Sequence, residues 1–174
     1  MKQPDLRTER LLLRSFRPAD ASEVQNLAGN YNVSKMTLNI PHPYQSGMAE
    51  EWIGSHQGSW DAKTRVAYAI IKPDTQQLLG AISLVRIVGK EGELGYWVRE
   101  PYWGMGYCTE ATKELIKFSF QKLGLERIVA EHLTSNPASG RVMEKAGMIH
   151  VMTTLRLDRN GESASMEVYE IRNT

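Results

Sequence analysis

Glu93-Leu94-Gly95-Tyr96-Trp97-Val98, followed by Trp103-Gly104-Met105-Gly106-Tyr107-Cys108-Thr109, is the stretch on which the reading of this chain turns. Its first part has the apolar and aromatic content of a strand. Residues 109–123 then space Ala111, Leu115, Ile116, Phe118 and Leu123 along one broad helical face, which Gly124 closes. Between strand and helix, two glycines let the backbone turn tightly with N–H groups facing inward. The helix N-terminus adds unsatisfied donors and the positive end of its dipole. Strand, glycine loop and helix start together favour a bound diphosphate. A Walker loop would need Gly-Lys-Ser or Gly-Lys-Thr here, and a dinucleotide fingerprint a third spaced glycine opening a βαβ unit; neither is present. A glycine pair alone also makes an ordinary tight turn, so the flanking elements carry the argument.

Working outward, residues 66–71, 78–88 and 93–98 read as strands separated by Pro73-Asp74 and by residues 89–92, an antiparallel meander. Upstream, residues 11–16 form a strand, and Pro18 with Asp20 opens a helix that Gly29 closes. Two prolines flank His42 and force an extended loop over residues 39–45, after which Ser46 is expected to cap a helix carrying Met48, Trp52 and Ile53. That loop and helix are expected to form a movable wall. Downstream, residues 128–133 are a strand, and Asn136-Pro137 starts a helix of one or two turns that Gly147 stops. Residues 149–157 and 165–171 make a hairpin around Asn160-Gly161, with a loop longer than two residues. The result is a mixed α/β sheet with helices on both faces, without the strand-helix alternation of a doubly wound fold.

Bulk properties narrow the function classes. The 174 residues suit one domain, with no repeat, low-complexity tract or linker. Hydrophobic residues at 41% and charged residues at 24% match ordinary globular chains, and no run of about 18 apolar residues suggests a bilayer span. Lys and Arg number 21 against 20 for Asp and Glu, and the charges are scattered, so no basic face supports nucleic-acid binding. His42, His56, His132 and His150 lie far apart, and the single Cys108 has no partner for a disulfide or a paired ligand set, so no metal is expected. Residues 1–10 lack the basic start and apolar core of a secretory signal, which places the protein in the cytoplasm as an expectation.

With these motifs in view, the chain resembles the GNAT superfamily of N-acetyltransferases, in its branch of ribosomal-protein N-terminal acetyltransferases (RimJ/RimL-like). The resemblance rests on Thr8-Glu9-Arg10-Leu11, Glu50-Glu51-Trp52-Ile53, Gly95-Tyr96-Trp97-Val98, Trp103-Gly104-Met105-Gly106-Tyr107 with Thr109-Glu110-Ala111, and Asn136-Pro137-Ala138-Ser139 with Glu144-Lys145-Ala146-Gly147. It implies a single GNAT-like domain over residues 1–174, of α/β (α+β) class: a mixed, mostly antiparallel seven-stranded sheet flanked by about four helices. It also implies acetyl-CoA as cosubstrate. The amides of Trp103, Gly104, Met105, Gly106, Tyr107, Cys108 and Thr109 would hold the pyrophosphate, and the backbone at Val98 would pair with pantetheine. Asn136 and Ser139 would stand at the far end of a cleft between the strand ending at Val98 and residues 128–133. Two departures stand out: Pro101 replaces a common Gln or Arg at the start of the loop motif, and Met143 replaces the tyrosine that many members use as acid.

The chemistry asked of this site is attack by a neutral amine on a thioester. A protein α-amine is neutral in roughly one molecule in ten at pH 7, a lysine in only a few per ten thousand. Glu93, on the strand leading to the cleft, is the candidate base, and equally suits a solvated ion pair. Ser139 is the candidate acid for the thiolate, and otherwise a polar residue in a helix's first turn. Asn136 serves as an N-cap, as a coenzyme contact, or both. The Val98 N–H suits an oxyanion. Cys108, at a helix N-terminus, offers a rival acetyl-carrying nucleophile. His42 and Tyr44 are candidates for lining the acceptor pocket. The acceptor is expected to be a protein or peptide N-terminus, with a polyamine, aminoglycoside or amino acid as the alternative and a non-catalytic acyl-CoA-binding module as the other class. Monomer and homodimer stay open, because the terminal hairpin exposes a strand.

Overall fold

Apolar runs punctuated by Pro, Gly and Asp set the order of elements in the computed structural model, which describes residues 1–174. In chain order these are β1 (Leu6–Arg7), β2 (Leu12–Arg14), α1 (Ala21–Ala28), α2 (Tyr31–Ser34), α3 (Met48–Gly54), α4 (His56–Asp61), β3 (Val66–Lys72), β4 (Gln77–Val88) and β5 (Glu91–Val98), then α5 (Tyr107–Gln121), β6 (Arg127–Leu133), α6 (Pro137–Lys145), β7 (Ile149–Leu157) and β8 (Ser163–Arg172). One sheet takes the order β1-β2-β3-β4-β5-β6-β8-β7. Only β5 and β6 run parallel; every other neighbouring pair is antiparallel.

The parallel pair is what opens the molecule. β5 and β6 stay in register from Glu91↔Arg127 only as far as Leu94↔Ala130. Beyond that point β5 continues to Val98 against β4, and β6 continues to Leu133 against β8. The two strands therefore diverge, leaving a wedge between Tyr96-Trp97-Val98 on one side and the end of β6 with the start of α6 on the other.

Two apolar layers fix this geometry. On one face, Ala111, Leu115, Ile116 and Phe118 of α5 and Met143 of α6 pack against Ile82, Leu84, Leu94 and Ile128. On the other, Val24 and Leu27 of α1 and Ile53 of α3 pack against Leu12, Ala69, Ile71 and Ala81. Each such buried large side chain is worth roughly 1.5–3 kcal/mol, and the two layers fix the sheet on both faces.

The mixed, mostly antiparallel sheet stands as expected, with corrections in detail. The sheet has eight strands rather than seven, because the two-residue β1 pairs Leu6 with Leu13 and Arg7 with Leu12. Six α-helical segments replace the expected four. Gly47, at φ 90°, occupies the N-cap of α3 in place of Ser46 and makes no side-chain cap. α5 begins at Tyr107 rather than Thr109, and α6 runs nine residues instead of one or two turns. β7 forms the far edge, with Ile149, Leu155 and Leu157 exposed. No helix is long and apolar enough to cross a membrane.

Candidate active site

The wedge between β5 and β6 is a cleft of about 300 Å³, walled by the end of β5, the glycine loop, the first turn of α5, one side of α6 along its length, and Val33, Met36 and Thr37. Of the residues assigned to the cofactor from sequence, all line it except Met105, whose side chain is half exposed. At the base of the loop, Arg99 N donates to Leu79 O at 2.7 Å across to β4. Backbone groups alternate sides along a strand, so the N–H and C=O of Val98 face the open wedge. The indole of Trp103 donates to that carbonyl at 2.6 Å, which folds the loop back onto the strand end. Gly104 and Gly106 take φ of 73° and 81°, a region closed to most side chains, and Gly106 is the N-cap of α5.

A network that the sequence reading left out of the site holds this loop from behind. Arg10 donates through Nη1 to the Met105 carbonyl at 3.0 Å and through Nε to Glu110 at 2.7 Å, and its guanidinium lies 4.6 Å from the centre of the Tyr107 ring. Glu110 also accepts from the Arg10 backbone N–H and the Thr8 hydroxyl. Burial pushes the Glu110 carboxyl up, but the hydrogen bonds from Thr8 and Arg10 outweigh it and hold the group below its usual range. Thr8, Arg10 and Glu110 stood in the motifs quoted above; only the pairing of residues a hundred positions apart was hidden.

Opposite the loop, Tyr96 reaches across the wedge. Its hydroxyl lies 2.9 Å from the Ser139 carbonyl oxygen and 2.8 Å from Ser139 Oγ. Burial drives the Tyr96 phenol well above its ordinary pKa, so it stays protonated. Asn136 sits at the N-cap of α6, yet its side chain makes no cap; Nδ2 donates to the Met36 carbonyl at 3.3 Å and ties the α2 side of the cleft to α6. Glu100 reinforces that wall by accepting from Asn30 and Asn32. Met143 is buried in the core, away from the cleft.

Three assignments change. Glu93 lies on the paired part of β5 opposite Val129, bonds Arg86 at 3.3 Å, and does not line the cleft. Its position on the strand was readable; where pairing stops was not. His42 packs edge-on against Tyr31 with ring centres 5.2 Å apart, and Tyr44 packs against the α1–α3 layer, where burial and then Glu50 raise its phenol. Neither lines the cleft; Val33, Met36 and Thr37, just upstream, do. Cys108 lines it, but burial pushes its thiol up to about 12, which removes the thiolate a nucleophile needs. No group of three or more His, Cys, Asp or Glu side chains is placed to hold a metal ion.

Comparison with known proteins agrees with this geometry. Residues 10–149 match the family model described as the acetyltransferase (GNAT) domain. The N-acetyltransferase YnaD of Bacillus subtilis is 31% identical over 144 residues, covering 81% of this chain and 80% of the relative. Among solved structures, RimL, a ribosomal L7/L12 alpha-N-protein acetyltransferase in complex with coenzyme A, superposes with a TM-score of 0.87 at 17% identity, covering 97% of this chain and 98% of its own. Spermidine N-acetyltransferase from Vibrio cholerae, in complex with CoA and spermine, gives 0.80 at 18% identity, covering 95% and 96%. The two neighbours show a shared fold and act on different amines. The diverging parallel pair, the glycine loop at the start of α5 and the family match together place this chain in the GNAT acetyltransferase family, as an acyltransferase.

Proposed function

We propose that the chain transfers acetyl from acetyl-CoA to the N-terminal α-amine of a protein or peptide by direct attack. The loop of residues 103–109 fits a diphosphate: Gly104 and Gly106 turn the backbone at positive φ, and the amides opening α5 are unpaired donors. In this reading Arg141 and Lys145, at the mouth of the cleft, add positive charge near the phosphates. The amine nitrogen attacks the thioester carbonyl carbon, and the Val98 N–H on the open side of β5 donates to the developing oxyanion. As the C–S bond breaks, Ser139 Oγ–H is the proton source for the leaving sulfur.

The observation that favours an α-amine is the make-up of the cleft: no carboxylate or imidazole lines it. A polyamine or lysine ammonium, with pKa near 10.4, needs a base and is drawn to acidic walls. An α-amine near 8 is already neutral in about one molecule in ten at pH 7. The test is thiol release from acetyl-CoA across peptides with Ala, Ser, Met or Asp N-termini, free amino acids, polyamines and aminoglycosides. Release with a peptide class supports the proposal; release with polyamines or aminoglycosides alone overturns it. Cofactor binding with no release across the panel would point to a non-catalytic acyl-CoA-binding module.

A further inference from the structure

Pairing between β5 and β6 ends at Leu94↔Ala130, two residues before Tyr96, and from there the Tyr96 side chain is the direct polar link between the two walls. Its Oη meets both the carbonyl oxygen and the Oγ of Ser139, in the first turn of α6. A phenol has one proton to give and a serine hydroxyl one more. Both are used internally: Tyr96 O–H donates to the Ser139 carbonyl, and Ser139 Oγ–H donates to Tyr96 Oη. The pair is satisfied without water, at a place where an unpaired hydroxyl is costly.

Resting on the reading of Ser139 as proton source, we infer that Tyr96 is the positioning residue of the acid, a second hydroxyl that aims Ser139 Oγ–H at the leaving sulfur. Two hydroxyl rotations suffice, with no movement of backbone. The Tyr96 O–H turns from the carbonyl onto Ser139 Oγ, and the released Oγ–H turns into the cleft. When the C–S bond breaks, its electron pair stays on sulfur. Sulfur takes the proton from Ser139 Oγ, Oγ is resupplied along the hydrogen bond from Tyr96, and Tyr96 regains a proton from water. The attacking nitrogen sheds one proton to water, so the overall change is thioester plus amine to amide plus thiol.

This arrangement needs no hydroxyl at Met143, which faces the core: the donor is Ser139 Oγ on α6, backed by Tyr96 Oη from the opposite wall on β5. It also makes a demand on Tyr96 that packing alone does not, since a phenylalanine ring would fill the same space.

The test compares Tyr96→Phe, Ser139→Ala and the double variant, measuring thiol release from acetyl-CoA with the accepted amine and CoA affinity by calorimetry. Each single variant is expected to lose tenfold or more in kcat, with KM for acetyl-CoA within threefold and CoA affinity within twofold of the parent. The double variant is expected to be no slower than the worse single, because the two hydroxyls act as one unit. Tyr96→Phe retaining kcat within twofold, while Ser139→Ala is slow, overturns the role of Tyr96 and leaves Ser139 standing. Ser139→Ala retaining kcat overturns the underlying acid assignment. Multiplying losses in the double variant, or a Tyr96→Phe defect confined to KM and CoA affinity, identifies Tyr96 as a wall of the pocket and rejects the inference.

Discussion

Arg10 decides the direction of one peptide plane. It holds the Met105 carbonyl on the outer side of the loop, and because the trans peptide sets C=O and N–H on opposite sides, the Gly106 N–H is turned the other way, toward the cleft. The charge beside that carbonyl also strengthens the amide as a donor. Arg10→Met keeps the apolar stem and removes the hydrogen bonds. It is expected to weaken acetyl-CoA binding about tenfold, or ~1.4 kcal/mol, with kcat changed much less. Calorimetric titration with CoA checks this, and unaltered affinity would show that the loop keeps its shape without Arg10. Much of this was legible in sequence: the glycine pair, the strand before it and the helix after it all stand where turn chemistry and periodicity put them. The partner of Arg10 was not, because a contact between the first strands and α5 has no local signature. Glu93 illustrates the same limit, since one register position decides whether a strand residue faces a cleft or a paired neighbour.

α6 shows how an element locates a hydroxyl. Its side toward the sheet carries Gly140, where an added Cβ would lie 2.7 Å from His132 Nε2 and 3.1 Å from Tyr169 Oη. The helix can therefore dock close enough for Ser139 to meet Tyr96. Gly140→Ala gains helix propensity of about 1 kcal/mol but drives a methyl into two buried rings, an overpacking of about 1–3 kcal/mol. A lower melting temperature together with reduced kcat is expected. A stabilised variant of full activity would mean that His132 moves aside freely. The helix itself was readable from Asn136-Pro137 and Gly147, yet its length was underestimated, and the packing of Gly140 against His132 has no local signature. The N-cap at Gly47 and the two-residue β1 escaped notice for a related reason: both are set by tertiary approach, with too few residues to carry a period.

For the molecule as a whole, stability should depend on pH through His56. Its ring lies between Phe16 and Trp52, with centres 5.5 and 4.5 Å away, and neither nitrogen has a hydrogen-bond partner. Burial, helped by Arg65, lowers its pKa from 6.5 to about 4. Between those values the unfolded chain binds a proton that the folded chain refuses, so this contribution is complete above pH 6.5 and is lost as pH falls toward 4. Allowing for partial exposure, the loss is ~2 kcal/mol. Denaturant unfolding at pH 7 and pH 4.5 should show it, and His56→Phe should flatten that part of the profile; an identical pH dependence in the variant would assign the effect elsewhere. The function itself is tested most directly by one comparison: thiol release from acetyl-CoA with a lysine-containing peptide bearing a free N-terminus, beside the same peptide with that N-terminus formylated. A cleft with no carboxylate or imidazole in its walls predicts release with the free peptide and none with the blocked one. Equal release with both would place the acetyl group on lysine and contradict the account.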